Sequence, residues 1–180
     1  YLGDSVIREV TIPEGVTRIG AYAFAGITSL VKVNLPSTLE TIDYGAFYGC
    51  VNLKTVTGIE NVKFINQSAF QGCIISGTLN LNSAVAIGDY AFAEYDYYNT
   101  DGIIVTARNN FSKLILSESC KSVGAYAFSE NQKLTTLTVK SDFLKLGRYA
   151  FSGCELLNKV SINAAVIPTG TFNECKALSD

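Results

Sequence analysis

Apolar residues recur along the chain in one fixed order, which repeats seven times. Each copy has an apolar pair separated by one residue, then a single apolar residue, then an aliphatic residue five positions before a phenylalanine. These phenylalanines are separated by 23, 23, 22, 36, 23 and 21 residues. A period in the low twenties is the signature of a stacked repeat array, here with one insertion. The phenylalanines, all predicted to fill the core, are Phe24, Phe47, Phe70, Phe92, Phe128, Phe151 and Phe172.

The alternating pair predicts one short strand in each copy, because side chains of a strand point alternately to its two faces. About three residues of strand bury too little alone, so the copies must stack as a parallel sheet with rungs about 4.8 Å apart. The small residues in stretches such as Gly20-Ala21-Tyr22-Ala23-Phe24 predict a helical or 3-10 turn opposite the sheet. The predicted fold is an α/β right-handed solenoid: about seven repeats of 21–23 residues, a parallel sheet of short strands on one face, and short helical or 3-10 turns on the other.

Residues 93–109 form the insertion, in the fourth repeat. Asp101-Gly102 stands between a tyrosine-rich run and an Ile-Ile-Val-Thr run, which predicts a β-hairpin. Insertions in repeat arrays often carry binding, and tyrosine offers contact area at low entropy cost. The alternative is that the tyrosines only cover the fourth repeat, whose core positions are small. The candidate partner-binding residues of the insertion are Tyr95, Asp96, Tyr97 and Tyr98.

Alternation also places a column of polar residues on the outer face of the predicted sheet. The column is rich in threonine and asparagine and carries little charge. These residues are either strand formers that face water, or a hydrogen-bonding surface for a protein or glycan, since solenoids bind through extended concave faces. The candidate binding residues of this face are Lys32, Asn34, Thr55, Thr57, Asn80, Thr136 and Thr138.

Four of the five cysteines stand three residues after a repeat phenylalanine. Equivalent positions of neighbouring coils stack, so disulfides, a metal site and buried free thiols are all conceivable. Spacings of 23 and 21 residues fit no zinc pattern, and stacked side chains run parallel, which favours reduced core thiols. Cys120 belongs instead to an inner apolar column, with Phe143, and is also predicted to be buried. The four column cysteines are Cys50, Cys73, Cys154 and Cys175.

Composition excludes several functions. Hydrophobic residues make up 48% of the chain and charged residues 17%, as in globular proteins, and the net charge is −2. No basic stripe is visible, so nucleic acid is not an expected partner, and no apolar run is long enough to insert into a membrane. The chain has no histidine, which removes Ser-His-Asp and Cys-His catalysis. We therefore expect no enzyme activity, no catalytic residues and no cofactor.

The acidic stretch of the insertion suggests calcium, but it does not fit a calcium-binding loop. Aligned on Asp101-Gly102, the first ligand position is Tyr97 and the twelfth is Arg108, and neither side chain suits Ca²⁺. We therefore predict no dedicated metal site. An adventitious ion at Glu94, Asp96 and Asp101 is the weaker alternative.

The stretch from Leu30 to Leu53 resembles the BspA-like, or Treponema pallidum-type, leucine-rich repeat. Its Ala-Phe-x-Gly-Cys element stands complete in the second, third and sixth repeats, whereas the first has Ile27 in place of the cysteine. The fourth and fifth repeats have lost both the glycine and the cysteine. The resemblance implies a leucine-rich-repeat solenoid from a secreted or surface-exposed bacterial protein, several relatives being adhesins. It transfers no binding residues to this chain.

The chain contains no methionine and begins and ends within a repeat, without a polar capping unit. We therefore expect residues 1–180 to be one solenoid within a longer exported chain whose signal and anchor lie elsewhere. The expected function is non-enzymatic adhesion to an unknown protein or glycan, with host extracellular matrix among the candidates. The alternative is a structural spacer that displays another domain.

Overall fold

Seven coils stack on one another in the computed structural model, which describes residues 6–139, 141 and 144–178. Phe143, predicted to belong to the inner apolar column, lies outside the described residues. Each coil contributes one strand to what we call the front face, and the predicted solenoid is confirmed. The front strands are β1 (Glu9–Thr11), β3 (Lys32–Asn34), β5 (Thr55–Thr57), β7 (Ser76–Leu81), β11 (Asn110–Leu116), β13 (Thr136–Val139) and β15 (Lys159–Ser161).

The front strands are parallel and form two sheets, in the orders β1-β3-β5 and β7-β11-β13-β15. Their registers align equivalent residues of successive coils, such as Val10, Val33 and Val56. The break follows β5, where Gly58 adopts φ +81° before a 3-10 turn at Ile59–Asn61. A side chain at Gly58 would meet the Leu35 carbonyl oxygen, so this turn requires glycine.

A second parallel sheet occupies the back of the solenoid, where we predicted helical or 3-10 turns. That prediction was wrong, because the turn at Ile59–Asn61 is the only helical segment of the described residues and it lies elsewhere in the coil. The six strands of the back sheet pair in the order β14-β12-β8-β6-β4-β2. These back strands are β2 (Arg18–Ile19), β4 (Thr41–Ile42), β6 (Phe64–Ile65), β8 (Ala86–Ile87), β12 (Ser122–Val123) and β14 (Lys145–Leu146).

The turns around each phenylalanine are not helical, because successive backbone amides bond alternately within the turn and to the next coil. Tyr22 has φ +57°, a left-handed conformation that interrupts a right-handed helix. The Phe24 amide then donates to the Ala46 carbonyl of the next coil at 2.8 Å, while the Ala23 and Ala25 amides close local turns. Every second amide thus bonds to the neighbouring coil, whereas in a helix all of these amides would bond within the turn.

No helix among the described residues is long and apolar enough to cross a membrane.

The repeat phenylalanines form a stack through the centre of the coils. Neighbouring rings lie 5.1–5.7 Å apart between centroids and within 12° of parallel. The five rings from Phe47 to Phe151 are fully buried. Phe111, which stands where other repeats have leucine, packs edge-on against Phe92 and Phe128 at 6.3 and 6.1 Å. The fourth and fifth coils therefore gain an extra ring where the core residues of the fourth repeat are small.

A buried polar ladder runs beside the phenylalanine stack, and it contains more than the predicted cysteines. Each cysteine thiol of the column donates to the carbonyl of the preceding coil's phenylalanine, at 3.1–3.4 Å. Asn109 and Asn131 continue the ladder in the coils that lack cysteine. The Asn109 side-chain nitrogen donates to the carbonyl of Phe70 in the preceding coil at 3.4 Å and to that of Phe92 in its own coil at 3.0 Å. The Asn131 nitrogen likewise donates to Phe92 of the preceding coil at 3.3 Å and to Phe128 of its own coil at 2.8 Å.

All five cysteines are free and buried, and their reactivity should differ along the column. Burial raises the pKa of Cys50 and Cys120 to about 11 and that of Cys73 well above its usual value. A side-chain hydrogen bond between Cys154 and Cys175, which competes with the Phe128 carbonyl for the single Cys154 thiol hydrogen, lowers the pKa of Cys175 and raises that of Cys154. Because the thiolate is the nucleophile, Cys175 should hold the largest thiolate fraction at neutral pH.

We predict that iodoacetamide at neutral pH labels native Cys175 first and leaves the other four thiols largely unmodified. All five should react after unfolding in urea. Peptide mass mapping of both samples checks the result. Failure to label the cysteines in the unfolded chain without reductant would show disulfides and contradict the free-thiol assignment.

Candidate functional site

The insertion folds as an antiparallel hairpin of β9 (Tyr95–Tyr98) and β10 (Ile104–Ala107). Its turn is held by Asn99, whose side-chain oxygen accepts from the Asp101 and Ile103 amides at 3.0 and 2.9 Å. Gly102 adopts φ +73°, where glycine carries little strain. The turn therefore has its own local hydrogen bonds and does not need a partner to form.

Two of the three acids of the insertion bond to other side chains of the hairpin. Glu94 pairs with the Arg108 guanidinium at 2.8 Å across the hairpin base, and Asp96 accepts from the Thr106 hydroxyl. Among the described residues, no three acids or cysteines come together as metal ligands. The geometry does not bring Glu94, Asp96 and Asp101 together as an ion site.

The inner face of the hairpin packs on the second and third coils. The Tyr95 ring lies 4.9 Å from that of Tyr48, and its side chain covers Gly72, where a Cβ atom would collide with it. Burial, together with a hydrogen bond to Tyr95, raises the pKa of Tyr48 to about 12. Tyr97 alternates with its exposed neighbours and is half-buried. Tyr95 thus has a covering role, but it covers these coils and not the small core of the fourth repeat.

The outer face of the hairpin carries exposed apolar side chains. Tyr98 and Ile104 lie opposite each other in the strand pairing and are 72% and 58% exposed. Ile103, next to Ile104 in the turn, is 60% exposed. We call Tyr98, Ile103 and Ile104 the tip patch. Of these three residues, only Tyr98 was predicted from the sequence to bind a partner, because Ile103 and Ile104 belong to the Ile-Ile-Val-Thr run that predicted a strand.

Several polar side chains of the first three coils of the front face bond to one another. Lys32 pairs with Glu9 at 2.9 Å, and Asn34 donates to Glu9 and to Thr11. Thr57 donates to the Asn34 side chain at 2.9 Å. Hydrogen bonds from Lys32 and Asn34 lower the pKa of Glu9. Three of the predicted binding residues, Lys32, Asn34 and Thr57, therefore already have partners within the face.

The remaining front-face candidates have fewer partners. Thr136 and Thr138 are half-buried, and within the described part of the chain their hydroxyls make no side-chain hydrogen bond, as is also the case for the exposed Thr55. The Asn80 side-chain oxygen is buried without a hydrogen-bond partner among the described residues. The two groups of candidates, hairpin and front face, lie on different parts of the solenoid and do not form one site.

Stacked coils that each place a short parallel strand on the front face, with a leucine-rich core and a central phenylalanine column, define a leucine-rich-repeat solenoid. A family profile described as "BspA type Leucine rich repeat region", in six copies, matches residues 3–101 and 106–180. The chain belongs to this family, as its repeat motif predicted. The match omits residues 102–105, which lie in the hairpin. No protein among the curated sequences matches the chain.

Three solved bacterial structures share the fold. A leucine-rich repeat protein from Bacteroides ovatus is 25% identical, with TM-score 0.73, and is matched over 95% of this chain and 44% of its own. A leucine rich cell surface protein from Faecalibacterium prausnitzii is 24% identical, with TM-score 0.66 and 88% and 39% covered. The leucine-rich repeat protein of T. pallidum is 22% identical, with TM-score 0.52 and 84% and 78% covered. The chain thus spans less than half the length of the first two.

Proposed function

We propose that the chain is a non-enzymatic binding module of an exported or cell-surface bacterial protein, and that it contacts a protein partner through the tip patch. The observation that carries this proposal is the exposure of Tyr98, Ile103 and Ile104 together on one hairpin. Clustered exposed apolar side chains are costly in water and mark interaction sites. Membership of a repeat family typical of protein-binding surface proteins supports this assignment.

Contacts within the chain hold the tip patch in place, which also favours binding. The Glu94–Arg108 pair, the Asn99 turn and the Tyr95–Tyr48 contact hold the hairpin before a partner arrives. Preorganised contact groups lose little conformational entropy on association. Tyr98, Ile103 and Ile104 are therefore held in a fixed arrangement, and they serve as anchor residues that enter a pocket on the partner. Extracellular-matrix proteins of a host are the first partners to test.

We predict that Tyr98→Ser with Ile104→Thr weakens binding to a matrix protein by about tenfold or more, because both replaced side chains are anchors. Binding is measured against an array of purified matrix proteins and glycans. The control is Tyr22→Ser with Val166→Thr, which changes an aromatic and an aliphatic side chain that are 53% and 68% exposed and lie away from the hairpin. Equal losses in both double variants would contradict the tip-patch proposal.

Point substitutions are preferable to removing the insertion. Residue Asn109, at its end, belongs to the buried ladder, so a deletion of 94–109 would also damage the core. If the wild-type chain is folded and binds nothing on the array, the spacer function is favoured.

A further inference from the structure

The front face and the edge where its strands begin carry an excess of positive charge. Among the described residues, five cations lie there against one carboxylate, that of Glu9, on a chain whose net charge is −2. The remainder of the molecule is correspondingly acidic, so charge is segregated between surfaces. The sequence shows no basic stripe because these cations are far apart along the chain. They are Arg8, Lys32, Lys54, Lys113 and Lys159.

Four of these cations form no ion pair with any acid that the structure describes. Only Lys32 forms an ion pair, with Glu9. Arg8, Lys54, Lys113 and Lys159 are exposed and make no ion pair within the described part of the chain. They belong to the first, third, fifth and seventh coils: Arg8 and Lys54 stand just before their strands, and Lys113 and Lys159 occupy equivalent register positions two rungs apart. Two rungs of a parallel sheet span roughly 9–10 Å.

The side chains around these cations are suited to sugar rather than to protein. The outward positions of the front strands are mainly threonine, asparagine and serine, with Ile115 as the one aliphatic residue and no aromatic. The core of a protein–protein interface is apolar and rich in aromatic side chains. Binding of single-stranded nucleic acid relies on aromatic stacking platforms. Hydroxyl and amide groups between spaced cations instead match a ligand with many hydroxyls and regularly spaced anions.

We infer that the front face binds an acidic polysaccharide, lying along the solenoid axis and across the strands. Its carboxylate or sulfate groups would meet Arg8, Lys54, Lys113 and Lys159, and its hydroxyls the threonine rows. The acids Glu14, Glu60 and Glu118 lie in turns beyond the opposite ends of the strands, which confines the polyanion to the edge where the strands begin. This second surface is separate from the tip patch and does not depend on the function proposed for it.

Binding of chondroitin sulfate to the whole chain, measured by calorimetry at low and physiological salt, tests the inference. Lys113→Gln with Lys159→Gln should weaken binding by about tenfold and flatten its salt dependence, since two ionic contacts are lost. The matched control is Lys121→Gln with Lys145→Gln, which removes the same charge from exposed lysines of the back of the solenoid. That control should bind as the wild type does.

The inference requires that neutral dextran fails to bind and that poly-glutamate and single-stranded DNA bind more weakly than chondroitin sulfate. Equal losses in the two double variants would overturn it, because only overall charge would then matter. Equal affinity for poly-glutamate or DNA would overturn the assignment to polysaccharide. The Tyr98→Ser/Ile104→Thr variant should retain chondroitin sulfate binding, which separates this surface from the tip patch.

Discussion

Replacing Phe128 by alanine is expected to lower the free energy of unfolding by about 3–5 kcal/mol, the range for a fully buried phenylalanine. The Phe128 ring has neighbours on three sides: Phe92 at 5.2 Å and Phe151 at 5.4 Å in the stack, and Phe111 edge-on. Because backbone hydrogen bonds hold neighbouring coils at a fixed spacing, the coils cannot move together to fill the space that the ring leaves. A cavity therefore adds to the lost hydrophobic transfer energy.

The control for Phe128→Ala is Phe64→Ala, which removes the same atoms from the back sheet. Phe64 is 39% exposed, so we expect a loss of no more than about 1 kcal/mol. Both are measured by urea unfolding followed by circular dichroism. Similar midpoints for the two variants would show that the phenylalanine stack does not stabilise the coils as described.

Periodic signals explain what the sequence predicted correctly. The front strands and the phenylalanine stack depend on residues at fixed spacings, so counting alone places them in successive coils. The back of the solenoid was mispredicted because its turns use left-handed tyrosines, such as Tyr22 and Tyr126, at a conformation that residue identity does not signal. Hydrogen bonding to the next coil stabilises that conformation, and this is a tertiary effect.

Two residues of the buried polar ladder, Asn109 and Asn131, were not predicted from the sequence, for different reasons. Asn131 stands three residues after Phe128, at the cysteine position of the repeat, so the alignment itself contained the signal. Asn109 reaches the same ladder only because the hairpin returns the chain there, and the insertion hides its register. The unpaired cations of the front face likewise become neighbours only when coils stack. The sequence therefore predicts features that recur at the same position of each repeat. It does not predict contacts between repeats whose residues occupy different positions.

Asn109→Ala is expected to lower the free energy of unfolding by about 2–4 kcal/mol, because it leaves buried groups without partners. The Asn109 oxygen accepts from the Ile75 amide at 3.0 Å, and its nitrogen donates to the Phe92 carbonyl at 3.0 Å. The side chain thus fastens the end of the insertion to the start of β7. Urea unfolding measures the effect.

Substitution by cysteine is expected to affect stability differently at the two asparagines of the buried polar ladder, Asn109 and Asn131. A thiol can donate to a phenylalanine carbonyl, as Cys73 does, but it is a poor acceptor for the Ile75 amide. Asn109→Cys should therefore still cost about 1–3 kcal/mol. Asn131 has no donor to its oxygen within the described residues, so Asn131→Cys should change stability by less than about 1 kcal/mol. Equal costs at the two positions would show that the Ile75 bond contributes nothing, and that Asn109 acts in the ladder only as a donor.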